Sequence, residues 1–69
     1  MEIRWVDGFV INVDYQDGAV IISANREGLQ SLANILTDMA NEKTSCHIHL
    51  DEYNSLEDNS AELIIERID

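Results

Sequence analysis

The spacing of hydrophobic and polar positions along the chain changes twice, and these changes divide it into elements. Through residue 24 the pattern is one of extended runs joined by tight turns. Val6-Asp7-Gly8-Phe9 and Gln16-Asp17-Gly18-Ala19 each set Asp-Gly between such runs, a strong hairpin signal. A two-residue turn at Asp17-Gly18 places Tyr15 opposite Val20, Val13 opposite Ile22 and Ile11 opposite Ala24, gathering one apolar face. The same rule at Asp7-Gly8 pairs Val6 with Phe9 and Trp5 with Val10, which predicts a first strand before that turn. It also puts Arg4 opposite Ile11 on the core side, a conflict that a bulge or an edge position would relieve.

From residue 25 the period lengthens. Asn25 is a good N-cap and Glu27 suits the positive first turn of a helix. Leu29, Leu32, Ala33, Leu36, Met39 and Ala40 form one apolar stripe with Ile35 beside it. Gln30, Ser31, Asn34, Thr37, Asp38 and Asn41 cover the opposite side. The spacing predicts one amphipathic helix over about residues 25–42, its end marked by Asn41 and Lys43.

Two further strands follow, near residues 45–50 and 61–67, with an acidic loop over 51–60 between them. The expected fold is α+β, a single small domain over residues 1–69. Its elements run β-β-β-α-β-β, with an antiparallel sheet of about five strands and the helix packed on one face. The other sheet face is left without a partner in the chain.

Strand alternation decides which residues occupy that open face. In Cys46-His47-Ile48-His49-Leu50-Asp51 the apolar residues fall on one side, while His47, His49 and Asp51 fall on the other. Leu63 and Ile65 should point inward, so Glu62, Ile64 and Glu66 point outward. Opposing His47 to Glu66, His49 to Ile64 and Asp51 to Glu62 satisfies both patterns, as does a shift of two residues. The first hairpin adds Trp5, Val10 and Ile21 to the same face. The candidate site is therefore His47, His49, Asp51, Glu62 and Glu66, with Trp5 as an apolar anchor for a partner.

Three chemistries compete for the two imidazoles. Same-face neighbours on a strand lie about 6.6 Å apart, so His47 and His49 could share a metal ion, but Asp51 lies about 13 Å from His47. A third ligand would have to come from Glu62 or Glu66, and no other His or second Cys is available. Acid–base catalysis by His with Glu lacks a phosphate loop, a nucleophile elbow and the chain length to enclose a pocket. Cross-strand hydrogen bonds to carboxylates, on a surface that meets a partner, fit best. No catalytic residue, metal or cofactor is expected.

Charge narrows the partner. Fourteen acidic residues face four basic ones, a formal charge of −10. Arg4, Arg26, Lys43 and Arg67 are scattered, so no basic patch exists to meet phosphates, and neither nucleic acid nor an anionic membrane is an expected partner. A basic protein, by contrast, would be steered in. The lone Cys46 forms no internal disulfide, and no secretory or transmembrane stretch is evident, so a cytoplasmic protein is expected.

Several segments resemble the immunity protein 32 family. They are Ser23-Ala24-Asn25-Arg26-Glu27-Gly28-Leu29 with Leu32-Ala33, then His47-Ile48-His49-Leu50-Asp51-Glu52-Tyr53-Asn54-Ser55-Leu56-Glu57-Asp58, then Ser60-Ala61-Glu62-Leu63-Ile64-Ile65-Glu66. The similarity runs from about Ala19 to Glu66. Where members often carry glycine, just before the first histidine and near the end of the acidic loop, this chain has Cys46 and Asn59. The resemblance implies a small bacterial α+β protein that acts as the antidote in a polymorphic toxin system. Its expected partner is then a cognate toxin, such as a nuclease with a basic cleft. The alternatives are a homo-oligomeric module, for instance a homodimer through the open sheet faces, and a His-based metal-binding protein.

Overall fold

The computed structural model describes all 69 residues. The elements are β1 (Ile11–Gln16), β2 (Ala19–Ala24), α1 (Arg26–Ala40), β3 (Cys46–Leu50) and β4 (Leu63–Arg67). The fold is α+β, but it contains four strands in two separate two-stranded antiparallel sheets rather than one sheet of five.

The register of the β1–β2 hairpin follows from local chemistry. Asp17 and Gly18 take positive φ angles of 52° and 80°, which the tight turn between β1 and β2 demands. Ile11 faces Ala24, Val13 faces Ile22 and Tyr15 faces Val20. In the second sheet His47 faces Glu66 and His49 faces Ile64, so of the two registers open to the sequence the unshifted one is adopted.

The expected first strand does not form. Asp7-Gly8 is a turn, with the Phe9 N–H donating to the Val6 carbonyl at 3.1 Å, but its flanks pair with nothing as strands. The N-terminal segment instead lies against α1. The Val6 N–H donates to Ser31 Oγ at 2.9 Å, and Asn34 Nδ2 donates to the Arg4 carbonyl at 2.9 Å. The Arg4 guanidinium grips Asp38 through two bonds of 2.9 and 2.7 Å. This route resolves the Arg4 conflict: the cation meets a carboxylate at the surface, while Trp5 and Phe9 pack against the core.

The same docking turns the helix. Its buried positions are Gly28, Ser31, Ile35 and Met39, whereas Leu29 and Leu36 of the expected stripe stay 56% and 54% exposed. Ser31, expected on the polar side, is sealed between the Val6 N–H and the Glu27 carbonyl. Asn25 caps the helix through its Oδ1, which accepts from the Gly28 N–H at 2.7 Å. That oxygen also accepts from the Val10 N–H at 2.9 Å, and Asn25 Nδ2 donates to the Gly8 carbonyl.

The core comprises Ile11, Val13, Ile35, Met39, Leu50 and Leu56. Leu56 comes from the acidic loop, which closes over the core instead of merely crossing the surface. Residues 57–61 then run along the free edge of β1. The Glu57 N–H donates to the Ile11 carbonyl, the Ala61 N–H to the Val13 carbonyl, and the Val13 N–H to Ser60 Oγ. Asn59 takes a φ of 68°, a left-handed conformation that asparagine adopts more readily than most residues. This segment fills the edge where β4 would otherwise join β1, so the two hairpins remain separate sheets. No helix is long and apolar enough to cross a membrane.

Candidate partner-binding surface

The alternation of β3 and β4 turns Ile48, Leu63 and Ile65 toward the core and leaves His47, His49, Ile64 and Glu66 exposed. Glu62, just before β4, is exposed on the same side and reaches His49: its Oε2 lies 3.2 Å from His49 Nδ1. A carboxylate accepts, so the ring proton in this contact is on Nδ1. The two imidazoles meet edge to face, with centroids 5.2 Å apart. The result is an exposed face with two aromatic donors, one apolar side chain and two carboxylates.

Two expected members have other partners. Asp51 organises the loop, its Oδ1 accepting from the Tyr53 and Asn54 N–H groups. Its carbonyl accepts from Asn54, Ser55 and Leu56, so the carbonyl and one carboxylate oxygen hold the turn. Trp5 does not join the outward face. It stacks on Phe9, with centroids 4.4 Å apart and planes 16° from parallel, and packs on the core. The outward placement of Trp5 followed from the strand pairing that the N-terminal segment does not make. No three His, Cys, Asp or Glu side chains converge to hold an ion.

Beside this face lies a cleft that strand parity did not reveal. It is open, about 420 Å³ in volume, and runs between the β1–β2 hairpin and the start of β4. Val13, Tyr15, Val20 and Leu63 supply apolar wall, with Asp14 and Glu62 also lining it. Glu62 thus belongs to both the cleft and the histidine face. The alternation of side chains says nothing of the gap between two hairpins, which is why the cleft was not legible.

Two of the four cations are held in ion pairs within the chain, which leaves the net charge at −10 and only Arg26 and Lys43 without a carboxylate partner. Arg4 is paired with Asp38, and Arg67 with Asp69 at 2.8 Å and with the carbonyls of Met39 and Glu42. Hydrogen bonding from Arg4 holds the Asp38 carboxyl below its ordinary value, and that of Arg67 does the same for Asp69. The guanidinium of Arg4 is raised in turn, first by the hydrogen bonds to Asp38 and then by its charge.

The structure is thus a small α+β scaffold in which an exposed histidine and carboxylate face adjoins a mostly apolar cleft. The chain belongs to the family Immunity protein 32, whose sequence pattern matches residues 19–68. No curated protein and no solved structure matches it.

Proposed function

We propose that the protein is a non-catalytic antidote that binds and neutralises a cognate bacterial toxin. Membership of Immunity protein 32 is the observation that carries this reading. An antidote needs a surface that binds quickly and tightly, and a chain of charge −10 draws a basic target to it. A nuclease with a cationic substrate groove is the favoured class of toxin.

The contact surface in this proposal is His47, His49, Ile64, Glu62 and Glu66, continued into the adjoining cleft. A lysine or arginine of the toxin fits the cleft, its aliphatic stem along Val13, Tyr15 and Leu63 and its charge beside Asp14 and Glu62. Asp51 supports this surface by holding the loop that follows β3.

Co-expression with the toxin encoded beside the gene tests the proposal. The wild-type chain should restore growth, and Glu62→Lys with Glu66→Lys should abolish rescue without unfolding the protein. Full rescue by a chain with His47, His49 and Glu62 all changed to Ala would move the interface off this face. Affinity for the toxin should fall as salt is raised, because opposite charges attract less when screened.

A further inference from the structure

The outer edges of the four strands are treated differently. That of β1 is occupied by residues 57–61, and the start of β4 lines the mostly apolar cleft. On β3 the His49 carbonyl is taken by Asn54 Nδ2. Strand β2 has β1 as its only neighbour. The turn-flanking residues Gln16 and Ala19 close the ladder, so Ala19, Ile21 and Ser23 bond to β1 and Val20 and Ile22 turn their backbone groups outward. Bonds from Ile11 and Val13 to the segment on the opposite edge fit the same phase.

This bare edge is also apolar. Val20, Ile21 and Ile22 are 60%, 43% and 44% exposed, on both faces of the strand. The run Ala19–Ala24 has no charge, proline or bulge, the devices by which soluble proteins keep an edge from pairing. The chain exposes 4847 Å² in all, where a compact monomer of its 7.8 kDa exposes about 4,400 Å².

We propose that β2 pairs antiparallel with β2 of a second copy about a two-fold axis at Ile21. Val20 of each copy then lies opposite Ile22 of the other on one face, and the two Ile21 side chains meet on the other face. The uncharged strand is the place where two chains of charge −10 can meet without facing carboxylates. Only Val20 is shared with the cleft, and the outward backbone edge of the strand carries no charge to draw a basic partner, so the occupant of that edge is a second copy rather than the toxin. The ends of the strand complement each other as well. The pairing sets the Asp17 turn of one copy beside Asn25 and Arg26 of the other, and Arg26 forms no ion pair within its own chain. The surplus area is below that of a standard interface, so the dimer is weak and reversible.

Sedimentation velocity on the full chain, from about 1 µM to about 1 mM, reads this directly. The expected result is a mass that rises with concentration from 7.8 kDa toward twice that value. Added salt should strengthen the dimer by screening like charges, opposite to its effect on a toxin complex. Val20→Lys should weaken dimerisation at least tenfold. Arg26→Asp should weaken it several-fold while leaving the melting temperature equal or higher, since a carboxylate suits a helix N-terminus. Amide exchange at Val20 and Ile22 should slow as wild-type concentration rises, a measurement independent of any variant. A monomer throughout the range, a dimer unmoved by Val20→Lys, or exchange at those amides independent of concentration would each overturn the proposal.

Discussion

The backbone carbonyl of Val10 occupies the space where a β-carbon at residue 28 would begin, so Gly28 sets how closely the helix meets the first hairpin. Ala24 Cβ and Ile11 Cγ1 also stand 3.0 Å from that point. Backbone and core, unlike a flexible side-chain tip, cannot move aside without cost. Gly28→Ala should destabilise the protein by about 1–3 kcal/mol through overpacking. The gain of alanine over glycine, roughly 1 kcal/mol in a helix interior, is an upper bound in this first turn and offsets only part of that cost. Urea unfolding with an unchanged slope is the check; a variant as stable as wild type would refute the close approach.

Asn25 ties three pieces of chain together through one side chain. Replacing it with Ala removes a helix cap and two bonds to residues 8 and 10, at a cost of about 2 kcal/mol. Asn25→Asp keeps both acceptor bonds and loses only the donation to Gly8. Thermal unfolding should therefore rank wild type above Asn25→Asp, and Asn25→Asp above Asn25→Ala.

The Arg4–Asp38 pair should make docking of the N-terminal segment sensitive to acid. The folded-state pKa of Asp38 is lowered, so its contribution is complete above the ordinary carboxylate value and is lost as pH falls through the lowered one. Fluorescence of Trp5, the only tryptophan, follows the event. An acid step present in wild type and absent from Asp38→Asn is expected; identical profiles would show that the pair does not hold the segment.

Neighbouring helix residues should differ sharply in their tolerance of substitution. Ile35 is buried in the core, so Ile35→Ala should cost about 2–5 kcal/mol. Leu36→Gln, on the exposed flank, should change stability by no more than about 0.5 kcal/mol. Comparable losses from the two would return the helix to the orientation its apolar stripe alone predicts.

The parts of the fold legible in the sequence are those decided over a few residues. Asp17-Gly18 sets the turn and hence the whole register of β1 on β2. Asn25 marks the start of the helix. Alternation in 46–50 and 63–67 separates the core residues from His47, His49, Ile64 and Glu66. Each of these rests on a period or a dihedral preference that acts along the chain.

What only the tertiary structure decided lies between elements far apart in sequence. Arg4 finds Asp38 and Val6 finds Ser31, which turns the helix and draws Trp5 onto the core. Residues 57–61 claim the edge of β1, which splits the expected sheet and opens the cleft beside Glu62. An apolar stripe records that a helix has a buried side, but the segments that pack on its flanks determine where that side falls. Local patterns carry no information about such competition, because it is settled by packing among residues that no short window contains.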